Sequence, residues 1–412
     1  MGRACMFVQV LVMAFASTAA AQDNAELLNR LRAMEERIRA LETEVQTLKA
    51  QQSSGAAAAP AAAPAAAEQV AAAAPSIGGA SAAASKIFNP DISVIGDFTG
   101  AAGNGANRQT PALEMHESEL GLQAVVDPYA RADVFLTFGE QGVGLEEGYL
   151  TFTSLPGALQ LKAGKMRAAF GKVNTMHNHV MPWIDRPLMT QNLVGGEDGI
   201  DDAGLSLSRI LPAPGEIFLE ATAQVFRGDS LNLFQSARRS DVSTVGHLRA
   251  YRDLSDSTNV DMGASYARGH SPYADGSNQL FGIDATLRWK PLRRAIYRSF
   301  ITRSEFIWAR ARLAPPAPGA GSSLATPFGY YISSDYQFAR RWFIGGRFDR
   351  SGRLAGNPLT DTGGSLLLTY WPSEFSQIRG QLRRTSYGER LTANELLFQF
   401  QFSMGAHGAH PF

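Results

Sequence analysis

His177-Asn178-His179 sets two imidazoles one residue apart, and Asp185, Arg186, Glu197, Asp198 and Asp201 follow in the same polar stretch. Imidazole nitrogen and carboxylate oxygen are both acceptable ligands for Zn²⁺ or Cu²⁺, so His177 and His179 are candidate metal ligands. A second set is dispersed: Lys162, His247, Arg249, Arg288, Arg303, Arg347, Arg379 and Arg383, with the acids Glu220, Asp261, Asp284, Glu305, Asp335 and Asp349. Guanidinium groups hold carboxylates and phosphates in bidentate fashion, so these cations could bind or filter anions, or could simply pair with the nearby acids. Serine and histidine are plentiful, but no Gly-x-Ser-x-Gly nucleophile elbow occurs, and nothing in the sequence specifies a catalytic centre or a cofactor.

What these charges can do depends on the elements that carry them. From residue 87 to 412 the chain repeats segments of roughly ten residues in which one alternate set is apolar and the other polar or small, the pattern of strands whose two faces meet different solvents. The clearest is the last: Leu396, Phe398, Phe400, Phe402 and Met404 form the apolar set, and Glu395, Gln399, Gln401 and Ser403 the other. The same period runs through Phe281/Ile283/Ala285/Leu287/Trp289, Ile217/Leu219/Ala221/Ala223/Val225, Trp342/Ile344/Gly346/Phe348 and Ala132/Val134/Leu136/Phe138. Aromatics such as Trp289, Trp308, Tyr336, Tyr370 and Trp371 sit at strand ends, as interfacial girdles require. Short turns at 127–128, 155–157, 212–215, 255–259, 339–340 and 372–373 alternate with longer polar loops near 100–112, 167–201, 227–241, 269–277, 314–326 and 351–361. The expectation is an all-β antiparallel transmembrane barrel of about 16 strands, large enough to keep an aqueous channel. In that setting the dispersed cations line the lumen. The single long loop, 167–201, would fold inward, Asp185, Arg186, Glu197, Asp198 and Asp201 facing the arginine wall as a constriction.

The rest of the chain fits that setting. Arg3, an apolar run from Met6 to Ala16 and Ala19-Ala20-Ala21 give the order of a secretory signal peptide, residues 1–21. The one cysteine, Cys5, lies within it, so a mature chain would have neither disulfide nor thiolate site. Between 22 and 52, Leu27, Leu31, Met34, Ile38, Leu41, Val45 and Leu48 recur at alternating steps of four and three, and Arg30–Glu35, Arg37–Glu42 and Glu44–Lys49 match as charge pairs of a parallel coiled coil. That predicts a self-associating helix in the periplasm. Residues 53–86 are almost wholly Ala, Pro, Ser and Gly, a tether that could touch peptidoglycan. Basic and acidic residues number 38 each; seven of each precede residue 87, so the remainder carries 31 of each, which argues against a nucleic-acid partner.

Leu161-Lys162-Ala163-Gly164-Lys165-Met166, the run Trp371 to Arg379 (WPSEFSQIR) and the ending Gly405 to Phe412 (GAHGAHPF) resemble the phosphate-selective porin superfamily and its proteobacterial outer-membrane relatives over the whole of 87–412. The resemblance implies a porin-type channel for small polar solutes or ions, possible anions among them, in the outer membrane, and assembly as a homo-oligomer, by preference a trimer, among outer-membrane lipid. Phe412 resembles the aromatic terminus read by the barrel-assembly machinery. Some relatives are described as zinc-regulated TonB-dependent receptors, which makes metal uptake the alternative function and an envelope tether a third. A plug inside a barrel of about 22 strands does not fit within residues 87–412.

Overall fold

The structure, a computed structural model, describes residues 39, 43, 90–105, 111–140, 142–230, 233–273, 276–312, 322–354 and 359–405. The chain divides into two compact units, Met1–Gly78 and Gly79–Phe412. In the first, Arg39 and Thr43 are helical, and Thr43 Oγ1 donates to the Arg39 carbonyl one turn back at 2.8 Å. The signal peptide, the remainder of the coiled coil, the tether up to residue 86 and the ending 406–412, with His407, His410 and Phe412, lie outside the described residues.

The second unit is a closed antiparallel β-barrel. Its strands are β1 Asp91–Gly103, β2 Glu114–Asp127, β3 Ala130–Gly139, β4 Gly142–Leu155, β5 Leu159–Arg167, β6 Asp201–Leu211, β7 Phe218–Phe226, β8 Ser243–Ser255, β9 Thr258–His270, β10 Ser277–Trp289, β11 Ser299–Arg312, β12 Leu324–Ala325, β13 Phe328–Ala339, β14 Trp342–Gly352, β15 Thr360–Ser373, β16 Ser376–Ser386 and β17 Thr392–Gly405. Each pairs with its neighbours in chain order, and β17 returns to β1. The two-residue β12 edges only the end of β11, which also pairs directly with β13, so 16 long strands make the wall. Closure leaves no sheet edge with unpaired amides, the condition for strands to cross hydrocarbon. With an even count both ends of the wall emerge at the short-turn end.

The alternation seen in the sequence sets the faces. Leu396, Phe398, Phe400 and Met404 of β17 point outward and exposed, as do Phe281 and Ile283 of β10 and Ile344 and Phe348 of β14. Gln399, Gln401 and Ser403 point inward. Two connections depart from the simple short-and-long rhythm: β3 and β4, at the long-loop end, are joined by residues 140–141 alone, whereas 290–298 at the short-turn end is longer and contains a 3₁₀ turn, Leu292–Arg294. The inward set is also less polar than its sequence implies. Val245, Ala267, Leu280, Ile307, Tyr331 and Leu367 face the lumen and are almost fully buried, because the long loop covers them.

Candidate functional site

β5 ends at Arg167 and β6 begins at Asp201, so the loop is 168–200; Asp201, expected at the constriction, is instead the first residue of a strand, its carboxylate 2.6 Å from Lys165 Nζ. The loop is tied at its base by Asn174. The amide of that side chain donates to the carbonyls of Ala168 and Ile200, 2.9 and 3.1 Å, and its oxygen accepts from the Ile200 N–H at 2.8 Å. Gly171 then turns the backbone against the wall at φ +60°, where a Cβ would stand 1.8 Å from a Glu305 oxygen. Only glycine satisfies both the left-handed turn and the contact.

From there the loop runs inside the barrel. Phe170, Val173, Met181, Trp183, Met189, Leu193 and Val194 pack on the apolar inward positions of β8 to β15, and Trp183 meets Tyr331 edge to face at a centroid distance of 4.9 Å. Side chains of this kind stabilise by roughly 2 kcal/mol each on burial, so this packing outweighs any one polar tie. A cluster of aromatic and aliphatic residues in a loop between two polar strand faces was the available sequence signal. Leu366-Leu367-Leu368 and Phe306-Ile307-Trp308, apolar on both faces of a strand, were its counterpart on the wall.

Polar ties fix the loop's position on opposite sides. On one, Asp185 lies between two wall arginines: Arg347 Nη2 and Arg383 Nη1 each reach Asp185 Oδ2 at 2.9 Å, and Gln381 donates to Oδ1 at 2.5 Å. The paired cations hold the Asp185 carboxyl down at about 2 against the cost of burial. Arg347 also pairs with Asp349 and Arg383 with Glu395, both at 2.7 Å. Arg379 donates to Thr369 Oγ1, the Met181 carbonyl and Gln399 Oε1. Further round, Lys172 pairs with Asp261 at 2.8 Å, which Arg249 shares at the same distance, and the N–H groups of Lys172 and Val173 reach Glu305.

On the other side His177 joins the loop to β2 and β4. Its Nδ1 lies 2.7 Å from Glu119 and its Nε2 2.7 Å from Glu147, with Glu146 at 3.5 Å. These carboxylates raise the imidazole to about 10 in spite of burial. His179 Nδ1 lies 3.3 Å from the same Glu119 oxygen, so Glu119, His177 and His179 bring one ligand atom each within 4.8 Å of one another. Both ring nitrogens of His177 face carboxylates, which favour its charged form. The arrangement works as an ionic bridge.

The remaining expected site residues separate into three groups. Arg347, Arg379 and Arg383 face inward, yet they are covered by the loop and exposed by no more than 6%; they hold the loop and do not meet bulk water. Arg186, expected at the constriction, is a buried brace within the loop, donating to the carbonyls of Val173 and Met176 and to Asn178 Oδ1, and desolvation lowers it to about 10. Glu197 is turned toward His116 of β2, 2.6 Å away, and Asp198 offers its carbonyl to Arg167. Neither faces the arginine wall. Solvent-open cations are Lys162, Arg249 and Arg288, on inward positions toward the short-turn end, and Arg303 is partly open beside Asp335 at 2.5 Å. Lys162 lies 4.5 Å over the Tyr149 ring, and neither it nor Arg288 has a carboxylate partner among the described residues.

An uncharacterized protein of Aquifex aeolicus (strain VF5) is 30% identical over 391 residues, spanning 81% of this chain and 82% of the other. The chain belongs to the family of that protein. No protein-family model matches it. Among solved structures, OprB of Pseudomonas putida superposes with a TM-score of 0.53 at 12% identity, covering 78% of this chain and 95% of that one. OmpF of Salmonella typhi, solved with daunomycin, gives 0.53 at 8% over 78% and 99%, and the outer-membrane channel DcaP of Acinetobacter baumannii 0.50 at 12% over 77% and 96%. At these identities the likeness is one of fold: this chain has the barrel architecture of the outer-membrane porins.

Proposed function

We propose that the protein is a porin-type channel of the bacterial outer membrane for small polar solutes, with a preference for anions. The observation that carries the reading is a closed 16-strand wall, apolar outside and polar inside, whose longest loop is folded inward and bonded to opposite sides. A loop so placed narrows the lumen without a separate plug. The anion preference rests on the open positions below the loop. Lys162 and Arg288 form no ion pair with a described residue there, and Lys172 and Arg249 both pair with Asp261, with Glu220 and Asp284 as the further acids of that region. Fixed charge at a narrow passage acts through its local field, so a barrel neutral in total can still select.

Purified protein in planar bilayers is expected to give discrete conductance steps, and a salt gradient a reversal potential on the anion-selective side. Correctly folded barrels without steps would reject the channel. Lys162→Ala with Arg288→Ala should move the reversal potential toward cations, and Arg379→Ala should move it little because that guanidinium is buried. The opposite order would put the selective charges under the loop. We further propose a homo-oligomer, by preference a trimer, with the coiled coils parallel. A cysteine at Ala50 should then cross-link subunits under oxidising conditions, and its failure to do so would reject parallel assembly.

A further inference from the structure

Four arginines leave the outer wall near its long-loop end: Arg268 of β9, Arg310 of β11, Arg350 of β14 and Arg384 of β16. All are exposed, and none has a hydrogen bond or ion pair to a described residue. Gln279 of β10 stands directly across from both Arg268 and Arg310, which places those two stems two strand spacings, about 10 Å, apart. From β9 to β16 the outward alternate positions of the strands carry no aspartate or glutamate, so no strand residue on this face balances the charge.

One step nearer the middle of the wall lies a row of aromatic residues. Tyr266 meets Phe281 at 4.9 Å between centroids, Trp308 meets Phe328 at 5.0 Å, Phe328 meets Tyr330 at 5.7 Å and Tyr330 meets Phe348 at 6.1 Å. An aromatic band of this kind marks the boundary between hydrocarbon and headgroups. Tyr330 is paired across from Arg350, and Trp308 precedes Arg310 by one outward step, so the guanidinium groups extend just beyond the band, at headgroup depth. Beside Arg384 a groove of about 750 Å³ is lined by Gly364, Leu366, Leu382 and Leu396, with Asn394, Glu395, Arg383 and Arg347 also bordering it, and at Gly364 a side chain would meet nothing within 4 Å. An apolar groove below a guanidinium matches an acyl chain below a phosphate.

We infer that this arginine band binds the phosphate groups of phosphorylated lipid headgroups in the leaflet on the long-loop side. Arginine suits the role because its fork engages two phosphate oxygens at once and is lightly hydrated. With no acid among them on the strands, their guanidinium groups remain available to an anion. The inference rests on the outer-membrane placement proposed above, and because the four residues lie outside the lumen their loss should leave conductance unchanged.

The test uses the full chain in detergent with lipid A carrying two phosphates, its dephosphorylated form, and inorganic phosphate as three separate probes. Wild type is expected to bind the phosphorylated lipid far more tightly than the dephosphorylated one. Replacing all four arginines by glutamine should weaken binding by about fivefold per arginine and flatten its salt dependence, while the four lysine replacements recover part of the affinity. Heat-modifiable migration confirms that each variant is folded; should the fourfold glutamine variant not fold, Arg268→Gln with Arg310→Gln carries the same expectation for two. Equal binding of both lipid forms, or unchanged affinity in folded glutamine variants, would overturn the inference. So would inorganic phosphate competing at the concentration of the lipid, which would assign the band to free anions.

Discussion

Asp185→Asn is expected to loosen the inner loop where it meets β14 and β16, while the apolar packing and the closed barrel remain. The carboxylate is the shared partner of two wall guanidiniums, Arg347 and Arg383, whose side chains are 1% and 5% exposed. Removing one member of a buried ionic group leaves the others desolvated without compensation, which costs about 3–5 kcal/mol for an isolated pair. Here the cost is smaller, roughly 2–3 kcal/mol by the same reasoning, because Arg347 keeps Asp349 and Arg383 keeps Glu395. That raises the population in which this side of the loop is detached by roughly 30- to 150-fold, since about 1.4 kcal/mol is a factor of ten. Single-channel recordings should show larger and noisier steps, with heat-modifiable migration as in wild type, because strand pairing does not involve Asp185. Steps of unchanged size and noise would mean that the apolar packing around Trp183 alone holds the loop.

Raising the pH from 6.5 to above 10 is expected to loosen the opposite side of the loop. His177 is raised from its ordinary 6.5 to about 10. A group whose folded value is raised contributes stability that is fully present below the unfolded value and disappears as pH climbs through the folded one. The groups around it are Glu119, Glu147 and Glu146 on the wall and His179 on the loop. A shift of this size corresponds to roughly 3–5 kcal/mol for an imidazole that is largely buried. Asp185 behaves with opposite sign: lowered to about 2, it contributes above pH 3.8 and is lost as pH falls through 2. Both ties are therefore at full strength between about pH 4 and 6.5. Channel noise or the emission of Trp183, the one tryptophan in the loop, should change on the alkaline side, and His177→Phe should abolish that change. A pH profile identical in the variant would assign the alkaline transition to another group.

These ties also explain why the site was partly legible. Arg347 and Arg383 were recognisable because charge on the polar phase of a membrane strand has to face the lumen, and Asp185 because it falls in the single long loop. Their burial was not recognisable, since it depends on a loop that returns about 160 residues away in sequence from the strand it covers. Lys172, the Glu119–His177–Glu147 bridge and the Asn174 clamp were missed for the same reason. Each pairs residues that no local period relates, and Gly171 shows its purpose only once Glu305 stands beside it.

What the sequence determined by itself is the barrel. A period of two is a property of neighbouring residues: it fixes which side chains share a face, and a row of apolar faces closed by polar turns leaves an antiparallel wall as the arrangement that satisfies every backbone amide. Strand number, the direction of Phe398 and Gln399, and the place of the long loop all follow from that local rule. What tertiary structure decided is which of the inward charges remain in water. Arg288 and Arg383 both fall on the inward alternate set of their strands, but Arg383 lies at the height where the loop's residues displace solvent and Arg288 lies nearer the short-turn end, where water remains. That distinction arises from packing in three dimensions, where burial, and the partner each buried charge must then have, is settled by residues distant along the chain.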